Sequence, residues 1–371
     1  MNQSLIDQLE TPCLVIDMEQ TQKNLKKMQD IADSCHCKLR PHIKTHKMKI
    51  FAQMQIKYGA AGITCAKISE AEVMVDGGID DIFIAYPLIE EFRIRRAITI
   101  QKRISRLILA VDSLEGAEAM SKVAVSAGVV LEVRLEVDTG AKRTGVLRQD
   151  AAELALKVSK LPGLNLTGIY TFKSLVYQDA PTTDKLIAGK EEGEMMKAIA
   201  EAIRAVGVDI KDISAGSTPT GEVVAQTGMV TEIRPGTYIF NDFMLTKEGA
   251  AQLDEVAGRL YVTVVSTPCD EFAIINGGTK TFPMDISLKE PPYFYPGYAI
   301  VEGNDDLALT RMNEEHGILT SKCGKTGLKV GQKLCLMPIH ICTALNMQNK
   351  VYLYDGSSVT EQTVDARGML V

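Results

Sequence analysis

The chain of 371 residues lacks any apolar run of about 18 residues, which excludes a membrane-spanning helix from the reading. It lacks a basic block or basic helix, and its formal net charge is -6, so nucleic acid is not an expected partner. Met1-Asn2-Gln3-Ser4 opens with neither a basic cluster nor an apolar run, so no secretory signal is expected. Repeats at solenoid period and low-complexity tails are missing too. The early glycine fingerprint of a doubly wound dinucleotide-binding sheet is not found, which disfavours that architecture. The eight cysteines are scattered through a long chain instead of crowded as in a small secreted scaffold. Most of them read as buried small side chains in a reducing cytoplasm. Cys35-His36-Cys37 has no C-x-x-C partner elsewhere, so it reads as a loop between a helix and a strand, not as a metal tract.

What is present is an ordinary globular composition, with 46% hydrophobic and 24% charged residues, enough for one large domain and a smaller one. Apolar runs alternate with helix-spaced segments. Strands are expected at Lys38–Ile43, Gly62–Cys65, Ile82–Ala85, Arg106–Val111, Val129–Val137, Leu166–Tyr170, Ile210–Ser214 and Thr231–Ile233. Helices are expected at 47–58, 69–77, 90–103, 114–127, 150–160 and 185–206. Eight such strands predict a (β/α)₈ barrel over residues 11–245. Beyond that point short strands and turn dipeptides such as Gly277-Gly278, Gly303-Asn304 and Asp355-Gly356 predict a mainly β domain over 246–371, joined by residues 1–10.

Chemistry concentrates at the expected C-terminal ends of barrel strands, where barrel active sites gather. Arg40, His42, Lys44 and His46 alternate and would share one face of an extended segment. Such a stripe facing a barrel interior needs an anion or a cofactor; otherwise it is a solvated loop entering a helix. An amine there could attack a carbonyl, because burial and nearby cations lower a lysine's pKa. Gly216-Ser217-Thr218 follows the seventh strand, where backbone N–H groups and hydroxyls could cradle a phosphate or simply form a capped turn. In Pro338-Ile339-His340-Ile341-Cys342 an extended backbone would point His340 and Cys342 the same way, able to share one metal ion or to be ordinary buried side chains.

The chain resembles the pyridoxal-phosphate enzyme family containing D-threonine aldolase and eukaryotic-type D-serine dehydratase. That family has an alanine racemase-like (fold type III) architecture of a barrel followed by a β-domain. The likeness is carried by Thr11-Pro12, Arg40 through Lys47, Gly216 through Thr220, Glu315-His316-Gly317 and the His340-x-Cys342 segment, and runs from Thr11 to Gly368. It implies pyridoxal 5'-phosphate as cofactor, with Lys44 as the lysine that anchors it and Lys47 outside that role. It implies cofactor contacts from His42, Arg143, Tyr170, Gly216, Ser217, Thr218 and Tyr238. Tyr170 is read with equal ease as a core tyrosine with a satisfied hydroxyl. The resemblance implies a divalent metal on His340 and Cys342; imidazole with thiolate favours zinc, while manganese would prefer more oxygen. His316 is expected to orient substrate or water, or to be a third ligand. A homodimer is also implied.

The expected reaction is lyase chemistry on a D-3-hydroxy amino acid, with retro-aldol cleavage to glycine and an aldehyde placed first. Dehydration to a 2-oxo acid and ammonia is the alternative. A racemase would need a second base, for which Tyr261 is available; a non-enzymatic cofactor carrier would not need the β-domain. Two departures from the family pattern stand out. Phe172 and Lys173 follow the sixth strand, and Lys173 is expected to meet an extra substrate carboxylate. Asn276 stands where an acidic residue is expected.

Overall fold

The computed structural model describes residues 3–371; Met1 and Asn2, part of the expected joining segment 1–10, lie outside the described residues. The chain divides into two compact units, Lys26–Gly236 with Gly368–Val371, and Met1–Leu25 with Thr237–Arg367. The division falls at Gly236/Thr237, nine residues before the expected boundary at 245/246, and the β-unit takes the N-terminal segment through Leu25, well past residue 10. The reason is strand pairing: Cys13–Asp17 lies antiparallel to Gly258–Ser266 and parallel to Lys350–Tyr354. No helix among the described residues is long and apolar enough to cross a membrane.

The first unit is a barrel. Its strands are Lys38–Leu39, Ile63–Cys65, Asp81–Pro87, Arg106–Val111, Leu131–Asp138, Leu164–Tyr170, Asp212–Ala215 and Glu232–Ile233. All adjacent pairs are parallel. The first and eighth strands are neighbours, and a parallel bridge between His42 and Thr64 joins the first to the second, which closes the ring. Helices at Lys49–Tyr58, Ile68–Asp76, Glu91–Gln101, Leu114–Ser126, Ala151–Val158 and Lys185–Ala205 match the apolar spacing of the sequence to within two residues at either end. The last is capped by Asp184, whose carboxylate accepts from the Leu186 and Ile187 amides. Two glycines on its buried face permit close approach of the short helix Gly221–Gln226: a Cβ on Gly189 or Gly193 would sit 2.8 Å from Val223 or Thr227.

The barrel interior is charged at its N-terminal end. Glu232 is fully buried between Arg40 at 2.7 Å and Arg134 at 2.6 Å. The chain of contacts continues from Arg40 to Asp81 at 2.5 Å, from Arg134 to Asp212 at 2.9 Å, and from Arg106 to Asp212 and Glu132 at 3.1 and 2.6 Å. An apolar layer of Phe83, Ile108, Ala110 and Tyr170 lies above it.

In the β-unit, six strands close on themselves in the order Phe272–Ile275, Gly317–Ser321, Asn304–Met312, Ala299–Val301, Lys333–Pro338 and Gly258–Ser266. The apolar runs Leu260–Ser266, Phe272–Asn276, Leu307–Thr310, Lys333–Met337 and Val351–Tyr354 predict strands here, and three further strands fall outside them: Ala299–Val301, Gly317–Ser321 and Val359–Thr363. The first is three residues long, and the last is a polar edge strand. Asn276 explains its departure from an acidic residue. Its carbonyl oxygen accepts from the Thr263 amide, while its Nδ2 donates to the Thr11 carbonyl at 2.8 Å, which a carboxylate cannot do.

Burial alone would raise the Glu232 carboxyl, but Arg134 and Arg40 outweigh it and hold the group well below the usual carboxylate range. A depressed folded-state value stabilises the fold above the unfolded carboxylate pKa of about 4.3, and that contribution disappears as pH falls toward the folded value. Glu232→Gln is therefore expected to cost about 3–5 kcal/mol at neutral pH, because it leaves two guanidinium groups without their shared counter-charge. Urea melts between pH 7 and 2 should show a flatter acid limb for the variant; an unchanged limb would refute the assignment.

Candidate active site

Lys44 lies in the 3₁₀ turn Ile43–Thr45 that follows the first barrel strand, and its side chain is exposed. The strand ends at Leu39, short of the expected Ile43, because the backbone turns there; the expected single-faced stripe is thus broken. Arg40 belongs to the buried ion network instead. His46 is a core residue: the Met48 amide donates to its Nδ1 at 3.1 Å, and burial pushes its pKa down to about 4, so it is neutral. Lys47 does not begin the next helix, which starts at Lys49. Lys47 takes a left-handed backbone (φ 53°) and pairs with buried Glu70 at 3.1 Å. Glu70 also accepts the Ala66 and Lys67 amides, which ties this turn to the loop after the second strand.

Cations gather at the C-terminal end of the strands. Lys44 Nζ lies 5.7 Å and the Arg143 guanidinium 4.8 Å from the Phe172 ring centroid, so both cations lie near one aromatic ring. Half-buried His42 is held well below its usual pKa by burial and then by Lys44, Arg234, Arg143 and His46. Arg234 is a residue that the sequence reading passed over. It is 9% exposed and donates to two neutral acceptors, the Ser214 hydroxyl at 2.6 Å and the Thr171 carbonyl at 2.5 Å. A buried arginine in the strand-end run Arg234-Pro235-Gly236 was the available signal. This cation set suits a bound group that carries a phosphate and a phenolate, with an amine placed to join its aldehyde.

The loop after the seventh strand is held from below. Glu192, fully buried, accepts from the Gly216 amide and the Thr220 hydroxyl, both at 2.9 Å. The Ser217 amide faces the Thr220 hydroxyl at 3.3 Å, and the Thr218 hydroxyl accepts from the Gly236 amide at 3.2 Å. Tyr170 is 2% exposed, and its hydroxyl donates to Glu136 at 2.8 Å, the satisfied-core arrangement. Tyr238 is buried in the turn Thr237–Ile239 of the β-unit.

In the β-unit, His340 caps the helix Ile341–Asn346. The backbone is therefore not extended through Cys342; the helical start, not a two-residue strand period, sets the pair. Burial alone would lower the His340 pKa, but Cys342 and Asp285 outweigh it and raise it to about 11. The Thr237 hydroxyl is 3.4 Å from the sulphur. Asp242 fixes the backbone by accepting the Leu245 and Ile341 amides at 3.0 Å. Imidazole and thiol converging at one point form a fitting donor pair for a borderline metal ion. His316 is exposed on the turn between Asn304–Met312 and Gly317–Ser321, and no group of three His, Cys, Asp or Glu among the described residues could hold a metal. Tyr261 packs with Ile6, Cys13, Val15 and Tyr354 in the core of the β-unit.

Lys173 does not face a substrate. Its side chain is fully buried, with Nζ 2.6 Å from Glu191 and also on the Val176 carbonyl. Lys173→Ala is accordingly expected to lower stability by about 3 kcal/mol through the stranded Glu191. The ratio of activities on acidic and neutral substrates should stay constant; a selective loss on acidic substrates would restore the substrate role.

The alanine racemase N-terminal domain family matches residues 16–242, and a serine dehydratase domain family matches residues 257–354. The chain is 32% identical over 349 residues to D-threo-3-hydroxyaspartate dehydratase of Delftia sp. (strain HT23), covering 90% of this chain and 91% of that protein. It is 30% identical over 368 residues to D-threonine aldolase of Arthrobacter sp, covering 97% and 93%. The solved Delftia dehydratase superposes with a TM-score of 0.88 at 29% identity, covering 96% of this chain and 97% of that one. A cysteine-to-alanine variant of it has been solved in the metal-free form. By sequence over nearly its whole length and by its barrel and β-unit, the chain belongs to the alanine racemase-like family of pyridoxal-phosphate enzymes, the branch related to D-threonine aldolase and D-threo-3-hydroxyaspartate dehydratase.

Proposed function

We propose that this enzyme dehydrates D-3-hydroxy amino acids to a 2-oxo acid and ammonia. The observation that carries the reading is the likeness to the Delftia dehydratase over nine-tenths of both chains, in both sequence and fold. This reverses the order expected from the sequence, in which aldol cleavage came first. Lys44 anchors pyridoxal phosphate; Arg143 and His42 stand beside it, and the Gly216-Ser217-Thr218 loop offers its hydroxyls to the phosphate. His340 and Cys342 hold a divalent ion, zinc by the chemistry of the pair.

The chain's own groups divide the work. Lys44 Nζ takes the proton from the substrate's Cα, and the cofactor, when bound, supplies the electron sink that makes this proton acidic. Arg143 holds negative charge near the amine, and neutral His42 adds hydrogen-bonding capacity without adding charge. A metal ion on His340 and Cys342 would supply Lewis acidity at the 3-hydroxyl. Loss of that hydroxyl as water leaves an imino acid after tautomerisation; its hydrolysis consumes one water and releases ammonia and the 2-oxo acid. The cleavage reading is favoured by the Arthrobacter aldolase likeness and uses the same residues, with proton removal at the 3-hydroxyl and rupture of Cα–Cβ. A cytoplasmic homodimer completes the proposal. Exposed Tyr86 near the end of the third barrel strand, with Ile89 and Phe92 after it, gives it an apolar contact surface, and sedimentation at micromolar concentration is its check.

Product analysis with D-threonine separates the two reactions: 2-oxobutyrate and ammonia are expected, and acetaldehyde with glycine as the main products would overturn dehydration. Lys44→Ala should abolish the borohydride-sensitive yellow absorbance and lower turnover by about 10²–10⁴-fold. Chelation should remove most activity and zinc should restore it; full activity of metal-free protein would exclude the metal role.

A further inference from the structure

Asp285 lies in the segment between Phe272–Ile275 and Ala299–Val301, far in sequence from the helix that carries the imidazole–thiol pair. Its Oδ2 is 2.6 Å from His340 Nδ1 and also accepts the Thr343 hydroxyl at 2.9 Å. The same hydroxyl is 3.5 Å from His340 Nδ1, so carboxylate, hydroxyl and ring nitrogen form one small cluster. The backbone beneath the ring is held separately by Asp242 through the Ile341 amide. The two aspartates thus act on different parts of the residue: Asp242 on its peptide and Asp285 on its ring.

A neutral imidazole has one N–H and one lone pair, and a neighbour that accepts at one nitrogen fixes which is which. Asp285 is an acceptor at Nδ1. We infer that Asp285 is a positioning residue that keeps the proton on Nδ1 of His340 and so presents the Nε2 lone pair to the metal held with Cys342. Without the carboxylate the ring can rotate, and the Thr343 hydroxyl can donate to Nδ1 and place the proton on the wrong nitrogen. Carboxylate contact also makes the imidazole a better donor. The inference rests on the metal reading of His340 and Cys342 given above.

Cobalt binding tests it without any assay of turnover. Full-length protein is stripped with a chelator and titrated with cobalt(II), read by the visible bands and by the thiolate-to-cobalt band in the near ultraviolet. Zinc competition then gives the affinity. Asp285→Ala should weaken metal binding about 10- to 100-fold. At saturating cobalt its spectrum should match the wild type, and the melting temperature of its metal-free form should be unchanged. Asp285→Glu should recover part of the affinity. Wild-type affinity in Asp285→Ala alongside lost binding in His340→Ala overturns the positioning role and leaves the metal reading intact. An altered spectrum at saturation makes Asp285 a ligand, and a lowered metal-free melting temperature makes it a structural prop; either overturns the inference. No cobalt band in the wild type overturns the metal reading itself.

Discussion

Glu232 sits in the barrel interior with a guanidinium on each side and a serine hydroxyl, Ser214, donating at 2.6 Å. Parallel strands place alternate side chains inward, and here those inward positions carry Arg40, Asp81, Arg106, Glu132, Arg134, Asp212 and Glu232 instead of branched aliphatics. Each arginine bridges two carboxylates that belong to different strands. Charges buried in this way are tolerable only when every member keeps its partners, so the network ties the stagger of the strands to one arrangement. Because Arg40 directly follows the first strand and Glu232 begins the eighth, the same pair also joins these two neighbouring strands.

The loops that carry the chemistry depend on this frame, and each is pinned by a buried carboxylate of its own. Glu70 holds Lys47 and the amides of Ala66 and Lys67, close behind Lys44. Glu192 holds Gly216 and Thr220, and burial raises its pKa despite those two donors. Glu136 joins the Tyr170 hydroxyl to that of Thr144, one residue after Arg143. In the β-unit Asp242, pushed up to about 6 by burial, ties the start of one helix to the start of the next. A carboxylate that accepts backbone amides fixes a loop without a strand or helix to carry it, so a rigid frame presents flexible segments in one conformation. The cationic side chains Lys44 and Arg143 are left on the exposed side of these anchors, ordered around the Phe172 ring.

Dehydration and aldol cleavage draw on the same amine and the same activated hydroxyl. They differ in which bond breaks, a matter of substrate orientation and not of residue type. This is why relatives with either activity share the fold and most of the length of this chain.

The sequence by itself determined the order of the barrel units, because apolar alternation and helical spacing are local properties: each of the eight strands overlaps its expected run, the first stopping at Leu39 short of Ile43, and the six longer helices after it lie where the spacing puts them. It also determined the residue types at the site, Lys44 beside a short strand and a histidine two positions from a cysteine. Tertiary structure alone decided what each charge does. A lysine in a loop reads as exposed until the fold brings Glu191 beside Lys173, and Arg40 reads as part of a cationic stripe until Glu232, 192 residues away, lies against it. The helix that begins after His340 replaced an expected extended run because Asp242 supplies an acceptor for the Ile341 amide, 99 residues distant. Periodicity records which way a side chain points within its own element; the partner that neutralises a charge or satisfies an amide comes from another element, and only the folded chain places it there.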